Sequence, residues 1–383
     1  MHIFDYSFLK RASVDADTLS RVGGIERMNA SIGDREAIGD SIASALELRA
    51  LINSVADSNA IEGIYADESR LMGIVSGRTA PRGHDEEEIA GYRDALRLIQ
   101  SDPDGMDVSV DAVLDLYAVL MGHKAGAHIG FKQRDNIIVE RDGDGRIIKV
   151  HEVVPAAEAE DCMQQLAWAF QEARDDADIE NLLLIPCFIC DFLMIHPFSD
   201  GNGRMSRLLT TLLLRQEGYG VVRYVSMESK INASKRDYYR ALGESQDGWF
   251  DNECDYGPFI SYFLSQLFLC YRELNLSMGS AMGRHRKSDG LEQFLLRTAL
   301  PVSKSELMRL FPELSESTVE KVLRDMTGDG RIEKTGSYRD ARYRPAGKKN
   351  DRRPDGMIME WKRERWDGWP PSWFFRGLQR AVA

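Results

Sequence analysis

The chain has 383 residues, 43% of them hydrophobic, which is enough material for two or three globular domains. Its formal net charge of −12 argues against general nucleic-acid affinity, because backbone phosphates repel an acidic surface. We expect no membrane span, since the first residues lack an apolar signal segment and Asp191 interrupts the most apolar stretch. Five cysteines are an odd number and predict no disulfide framework, so a cytoplasmic protein is expected.

Residues 1–105 are predicted to be helical. An alanine-rich helix covers Ile42 to Ile61, and Gly63 suits the left-handed position that closes a helix. On this reading alone, Glu62 is an ordinary solvated side chain at the helix end. A second long helix opens with Glu86-Glu87-Glu88, where the helix dipole favours acidic groups. We therefore expect the acidic run to be exposed to solvent.

Residues 106–280 are predicted to be helical around one β-hairpin. Phe131 to Glu140 reads as a strand, Asp142 to Gly145 supplies Asp-Gly turn chemistry, and Arg146 to Val150 reads as the returning strand. An ordinary edge hairpin without a functional role gives the same pattern. The predicted fold class is therefore mainly α with a small β-hairpin.

The densest group of chemistry-bearing residues follows the apolar helix predicted for Leu182 to Ile195. Pro197 ends that helix directly after His196, a side chain whose usual pKa suits proton removal near neutral pH. Asp200 offers the oxygen ligand that Mg²⁺ prefers. Two glycines, Gly201 and Gly203, let consecutive N–H groups converge on an anion at the start of the next helix.

Three more side chains complete a predicted phosphate site. Asn202 can donate a hydrogen bond to a phosphate, and Arg204 and Arg207 can hold one in bidentate fashion. Their i,i+3 spacing places both arginines on one face of the helix. The alternative is a helix–loop–helix with a glycine-rich turn and solvated arginines. We disfavour it because so many suitable residues fall within twelve positions.

The segment from His196 to Arg207 matches the pattern HPFxDGNGRxxR, and through this motif the chain resembles the Fic family. The resemblance implies a Fic helical core with a hairpin flap. It also implies an enzyme that transfers AMP from ATP to a Ser, Thr or Tyr hydroxyl of a target protein. His196 would be the general base, and Asp200 would bind Mg²⁺ between the α- and β-phosphates. The other motif residues would hold phosphate oxygens, with an anion hole of Gly201, Asn202 and Gly203, and with Arg204 and Arg207 on the β- and γ-phosphates.

The resemblance also gives a role to residues far upstream of the motif. Ser58 and Glu62 fit the (S/T)xxxE(G/N) pattern of self-inhibited Fic proteins. In that class the glutamate pairs with the second arginine of the motif, here Arg207, and denies it to the γ-phosphate. Because the element precedes the motif, the chain resembles the class whose inhibitory helix lies N-terminally within the same chain.

Further nucleotide contacts are implied by the same resemblance. The flap is expected to register a target segment by strand-type pairing, with Ile137, Ile138 and Val139 in contact with nucleotide or target backbone. Tyr238 and Tyr239 would line the adenine pocket, although simple core packing explains two aromatic residues equally well. Gln246 stands where related proteins often have Asn, which leaves its polar contact with the nucleotide open.

The C-terminal part divides into two predicted units. Residues 285–345 read as three short helices and two strands, a pattern that resembles a winged helix. Its third helix, Glu316 to Met326, is not basic, so protein interaction or dimerisation is favoured over DNA binding. Residues 346–383 form a tail rich in tryptophan and phenylalanine that is either a docking peptide or an arm folded on its own protein.

The sequence therefore predicts a self-inhibited protein adenylyltransferase that uses ATP and Mg²⁺ and acts on protein hydroxyl groups. Self-modification and a homodimer are compatible with this prediction. Three alternatives remain open at this stage: a Fic enzyme with another donor, one that removes AMP, and a nucleotide-sensing winged-helix regulator of transcription.

Overall fold

The structure is a computed structural model that describes residues 2–32, 40–141, 147–281, 288–298, 301–311, 314–337, 341–346 and 358–360. Helices dominate it, which confirms the predicted mainly α class. Those of the N-terminal region and the core are α1 (Ala16–Ile32), α2 (Asp40–Ile61), α3 (Glu68–Val75), α4 (His84–Ser101), α5 (Val110–Met121), α6 (Ala159–Arg174), α7 (Asn181–Ile195), α8 (Asn202–Gln216), α9 (Met227–Ala233), α10 (Lys235–Gln246) and α11 (Gly257–Ala281).

Helix α7 lies at the centre of the core. Its side chains from Leu182 to Ile195 are all buried, as expected for a helix that is apolar on every face. It packs against α6, α8, α10 and α11. The loop that follows α7 and the start of α8 are therefore held from several sides at once.

The predicted hairpin is present, and it carries a third strand. Strands β1 (Ile138–Arg141) and β2 (Ile147–His151) pair antiparallel, with Ile138 opposite His151. The predicted turn, Asp142 to Gly145, lies outside the described residues. A strand from the C-terminal tail, β6 (Ile358–Glu360), pairs with the other edge of β1.

The C-terminal unit has three helices and a second small sheet in its described part. The helices are α12 (Asp289–Arg297), α13 (Lys304–Leu310) and α14 (Glu316–Gly328), and the strands are β3 (Val302–Ser303), β4 (Ile332–Thr335) and β5 (Arg342–Pro345). The strand order is β3-β5-β4 with antiparallel pairing, so one strand more than predicted is present. Helix α12 packs on α2. No helix in the described ranges is long and apolar enough to cross a bilayer.

A buried carboxylate joins the start of the chain to α7. Asp191 is fully buried and accepts hydrogen bonds from the Tyr6 hydroxyl, the Tyr256 hydroxyl and the Trp249 indole N–H, each at 2.7 Å. His2 stacks on Trp249 and approaches the same carboxylate at 3.8 Å. Burial raises the pKa of Asp191, against the opposing effect of His2 and the three donors. In the sequence Asp191 only interrupts an apolar stretch, whereas in the structure its carboxylate joins the N-terminal residues to α7.

Replacement of Asp191 by Ala should leave three buried donors without an acceptor. We expect the free energy of unfolding to fall by about 3 kcal/mol or more, since each orphaned buried donor costs about 1–3 kcal/mol. Urea denaturation followed by circular dichroism measures the change. The control, Asp161→Ala, removes an exposed carboxylate from α6 and should cost less than about 1 kcal/mol. Equal losses in the two variants would contradict an anchoring role for Asp191.

Candidate functional site

The site is built at the junction between α7 and α8. His196 follows the last residue of α7 and has left-handed backbone angles, φ 51° and ψ 57°. In the described ranges only one other non-glycine residue, Asn252, has a positive φ. Such a conformation costs a side chain other than glycine about 1–3 kcal/mol, so surrounding contacts must hold it in place. The chain reverses here and sends the next residues toward the start of α8.

The imidazole of His196 is set up as a neutral base. Its Nδ1 lies 3.4 Å from the Leu193 carbonyl oxygen, which favours the tautomer protonated on Nδ1 and leaves Nε2 unprotonated. The residue is 1% exposed. Burial, with the positive charge of Lys132 acting in the same direction, lowers the pKa of His196 well below its usual range. At neutral pH the ring therefore carries no charge and can accept a proton.

The loop between the two helices is held by its own side chains and by aromatic packing. Asn202 accepts from the Phe198 N–H at 2.9 Å and donates to the Phe198 carbonyl at 2.7 Å. The Phe198 ring stacks on Tyr117 with centroids 3.7 Å apart, and the Tyr117 hydroxyl donates to the Asp200 carbonyl. Asn202 thus shapes the loop in this structure, and its predicted phosphate contact stays a prediction. Gly201 takes φ 81° to start α8.

Asp200 is an anion with two cations beside it. Its carboxylate accepts from the Lys124 ammonium at 2.9 Å and from the Gly201 N–H at 2.7 Å, and Arg204 lies at 3.8 Å. Burial works against the charged form, but Arg204, Lys124 and the N–H donor outweigh it and hold the pKa of Asp200 below its usual value.

A magnesium ion would fit at Asp200 only if a bound nucleotide and water supplied most of its ligands. No group of three or more metal-ligating side chains is found in the described part of the chain. Mg²⁺ commonly binds to one carboxylate together with substrate phosphates and water. The side chain of Asp200, about one-third exposed and ionised, suits that mode of binding, in which the nucleotide brings most of the ligands.

Arg204 is buried against a carboxylate that sequence analysis placed in solvent. Its guanidinium, 1% exposed, forms an ion pair with Glu88 of α4 at 3.0 Å. Glu88 is itself 4% exposed and also contacts Lys124 and His84. The prediction of a solvated acidic run is therefore wrong for Glu88. A signal was present, because Glu88, Tyr92 and Ala95 follow helical spacing along the buried face of α4.

Arg207 points to the C-terminal end of α2 instead. Its Nε donates to the Ser58 hydroxyl at 2.8 Å, and its Nη2 donates to the Ser58 carbonyl at 3.0 Å and to Glu62 Oε1 at 2.7 Å. Both partners of this ion pair are largely buried, and the charge of Glu62 more than offsets burial and raises the pKa of Arg207. The structure thus brings together the upstream element and the motif, which are 145 residues apart.

Glu62 also lies against the first turn of α8. A Cβ atom at Gly203 would come within 2.3 Å of Glu62 Oε1, so only glycine leaves room for the carboxylate in this position. The first N–H groups of a helix attract anions. The Glu62 carboxylate therefore lies at the helix N-terminus, in the position where a phosphate group would otherwise be favoured.

A cleft opens beside this ion pair. It is lined by residues from the end of α2, the flap, α7, α8 and α10, namely Glu62, Ile138, His151, Leu193, Gly203, Arg207, Tyr238, Tyr239, Leu242, Gly243 and Gln246. The structure thus brings Tyr238, Tyr239, Gln246 and Ile138 to one cleft. Ile137 directly precedes β1, and the side chain of Val139 lies outside the described residues.

Sequence analysis did not identify His151. This residue is the cross-strand partner of Ile138, so the two side chains lie on the same face of the hairpin and both reach the cleft. The pairing could have pointed to His151 once the register of the hairpin was known. Lys124 and Lys132, which contact the Asp200 carboxylate and the Ile195 carbonyl, were also missed.

Comparison with protein families and curated proteins agrees with this geometry. Residues 107–214 match the family model described as Fic/DOC family. The protein adenylyltransferase Fic of Nematostella vectensis is 25% identical over 215 residues, which cover 54% of this chain and 44% of that protein. The protein adenylyltransferase fic-1 of Caenorhabditis elegans is 26% identical over 213 residues, or 53% of this chain and 37% of that protein. This chain spans less than half the length of these curated relatives.

Solved structures share the fold. A Fic family protein from Desulfovibrio desulfuricans G20 matches with a TM-score of 0.56 at 21% identity, covering 88% of this chain and 98% of that chain. A Fic domain containing signaling protein from Bacteroides thetaiotaomicron VPI-5482 matches with a TM-score of 0.56 at 18% identity, covering 70% and 99%. The predicted Fic helical core with a hairpin is confirmed. The likeness of residues 285–345 to a winged helix stays a prediction.

Replacement of Glu88 by Ala should remove the buried carboxylate 3.0 Å from Arg204 and leave the guanidinium only the more exposed Asp200, 3.8 Å away. Removing one partner of a buried ion pair costs about 3–5 kcal/mol, and we expect a loss of this size in the free energy of unfolding. Chemical denaturation of the full chain measures it. The neighbouring Glu87→Ala, which removes a more exposed charge from the same helical turn, serves as the control and should cost less than about 1 kcal/mol. A Glu88→Ala protein as stable as the control would mean that Arg204 does not depend on Glu88.

Proposed function

We propose that this chain, which carries a Fic/DOC domain in residues 107–214, is a protein adenylyltransferase held inactive by its own Glu62. The observation that carries the proposal is the ion pair between Glu62, at the end of α2, and Arg207, the last arginine of the motif, beside the N-terminus of α8. The names of the curated relatives support the same activity.

The chemistry follows from the neutral base. The unprotonated Nε2 of His196 takes the proton from a Ser, Thr or Tyr hydroxyl of a target protein. The freed oxygen then attacks the α-phosphorus of ATP, the bond to the β-phosphate oxygen breaks, and pyrophosphate leaves. A base positioned in this way contributes about 10²–10⁴-fold to the rate.

The phosphates would bind at the N-terminus of α8. The N–H groups of its first turn and the guanidinium of Arg207, once Glu62 leaves it, supply the positive charge that a triphosphate needs, with Arg204, whose charge Glu88 balances, beside them. Asp200 would hold Mg²⁺, which when bound neutralises phosphate charge. The aromatic and apolar lining near Tyr238 and Tyr239 suits a purine base, and Gln246 adds one amide group at the end of α10.

Inhibition would come from competition for one site. Glu62 pairs with Arg207 and lies within contact of Gly203, so its negative charge opposes a phosphate in that position. Ser58 engages the same guanidinium through its hydroxyl and carbonyl oxygens. A nucleotide that binds while Glu62 stays in place would lack the contact with Arg207 and would not present its α-phosphate to His196.

The proposed partner is a protein with an accessible hydroxyl side chain, and the chain itself is one candidate target. A dimer and a cytoplasmic location belong to the same proposal. Helix α14 carries Glu316 and Glu320 in ion pairs with Lys304, so its surface does not favour a nucleic-acid partner.

Replacement of Glu62 by Gly should release the enzyme. We expect labelling of the chain or of lysate proteins from α-³²P-ATP and Mg²⁺ to rise at least about tenfold over wild type, which corresponds to loss of about 1.4 kcal/mol of inhibition. Gel autoradiography measures it. The double variant Glu62→Gly/His196→Ala should show no labelling, because the base is absent.

A parallel assay with γ-³²P-ATP identifies the transferred group. Only the α-label should remain on protein when AMP is transferred and pyrophosphate leaves. Equal labelling by wild type and Glu62→Gly would rule out the inhibitory role of Glu62. Absence of labelling in every variant would overturn AMP transfer from ATP, and the same variants assayed with another nucleotide donor or with AMP-modified protein would then test the two remaining Fic chemistries.

The lowered pKa of His196 predicts how activity changes with pH. The base works when neutral, so activity is lost as pH falls through its pKa in the folded protein. Because burial and Lys132 move that pKa well below the usual 6.5, the labelling rate of Glu62→Gly should stay level from pH 8 to about pH 6 and fall only at lower pH. The kcat/KM for ATP, which follows the ionisation of the enzyme before nucleotide binds, tests this, with circular dichroism as a control for folding. A midpoint near 6.5 would contradict it.

A further inference from the structure

The carbonyl groups in the last turn of α7 all have donors, although a helix end normally leaves them without intrahelical partners. The Phe192 carbonyl accepts from the His196 N–H at 2.9 Å, and the Leu193 carbonyl lies 3.4 Å from His196 Nδ1. The Met194 carbonyl accepts from the Val154 N–H at 3.0 Å. The Ile195 carbonyl accepts from the Lys132 ammonium at 3.1 Å. Two of these four contacts are made by the base itself, and one depends on a lysine.

Lys132 holds the chain on both sides of His196. Its ammonium donates to the Ile195 carbonyl, and its backbone N–H donates to the Pro197 carbonyl at 2.8 Å. The ammonium also donates to Asn136 Oδ1 at 3.0 Å, and Asn136 in turn donates to the Phe198 carbonyl. Three carbonyl groups on the two sides of the base, those of residues 195, 197 and 198, are therefore bonded to one short segment. This segment resists rotation of the backbone out of its left-handed conformation.

The ammonium of Lys132 makes these hydrogen bonds in a buried position. It is 3% exposed and meets a carbonyl and an amide oxygen rather than a carboxylate. Burial lowers the pKa of Lys132 to about 7, against the opposing charge of Asp135. A cation next to the last carbonyl of a helix is favoured by the helix dipole. The position also places positive charge near the imidazole of His196.

We propose that Lys132 is a positioning residue for His196: it caps the Ile195 carbonyl, fixes the left-handed turn at the base, and so holds the imidazole with Nδ1 directed at the Leu193 carbonyl. The inference deepens the proposed function, because it concerns the base of that same reaction. The link between Lys132 and the imidazole, however, is a property of the folded protein and can be measured without any nucleotide.

The first test is a histidine-selective ¹⁵N NMR titration of the full chain without nucleotide. The signals of His196 are assigned by their loss in His196→Ala. In Lys132→Met we expect the titration midpoint of His196 to move to higher pH, since a repelling charge is lost, and the Nδ1-protonated tautomer to lose its dominance. Lys304→Met, which removes an exposed lysine of α13, is the matched control and should leave both properties unchanged.

The second test measures transfer in the Glu62→Gly background. Misplacement of a catalytic group by about 1 Å costs on the order of 10²-fold, so Lys132→Met should lower kcat by about tenfold or more and leave the KM for ATP within about twofold. The low-pH limb of its rate profile should move to higher pH. Lys132→Arg, which keeps a cation and donors, should restore most of kcat, whereas loss of packing alone would not be rescued in this way.

The two tests separate the two proposals. A shifted His196 titration without labelling in any variant supports the role of Lys132 and overturns AMP transfer. Normal labelling with an unchanged titration and tautomer in Lys132→Met overturns the role of Lys132 alone. If Lys132→Met does not fold, Lys132→Gln takes its place, because it keeps a donor and loses the charge. It should retain the tautomer and still raise the midpoint, and an unchanged midpoint would overturn the inference.

Discussion

A buried guanidinium requires an anion, and the ion pair between Arg207 and Glu62 joins the motif to the end of α2. In this structure the anion is Glu62, with Ser58 supplying two neutral acceptors. A buried ion pair is attractive in itself, but the desolvation of both charges offsets much of that attraction. Exchange of one anion for another at Arg207 therefore changes the total free energy far less than removal of the anion would. In the proposed function, this is what lets a phosphate group take the place of Glu62 at Arg207.

Arg204 differs from Arg207 in the origin of its partner. Glu88 belongs to α4, which packs against α2, α5 and α8, so this carboxylate is part of the core and stays with Arg204. Lys124 contacts both Glu88 and Asp200 and joins the two acidic groups into one charged cluster. One arginine of the motif thus has a permanent anion, while the other depends on a helix end that the motif does not contain. In the proposed function, this asymmetry makes Arg207, and not Arg204, the arginine whose anion can be exchanged.

The sequence was sufficient for what is encoded locally. The order of helix, turn and helix around His196 and Gly201, the hairpin, and the pairing of Glu62 with Arg207 followed from short patterns, the last through the family resemblance. Partners that depend on packing were not predicted. The sequence predicts a solvated Glu88 because the helix dipole favours acidic groups in a first turn, and that effect depends only on neighbouring residues. Its burial depends instead on which face of α4 packs against α8. No sequence motif marks Lys132, and its proposed role can be inferred only from the structure, in which the end of α7 lies beside its ammonium group.

The tail strand β6 limits which edges of the hairpin could pair with a target segment. Strand β1 has β2 on one edge and β6 on the other, with Glu140 paired to Lys149 and to Met359. A strand has two hydrogen-bonding edges, so in this arrangement β1 has none left for another segment. If a target pairs with the hairpin, as the family resemblance implies, it must use the far edge of β2 or displace β6. Strand β6 itself contains no Ser, Thr or Tyr. It therefore occupies one edge of β1 without offering an acceptor hydroxyl there.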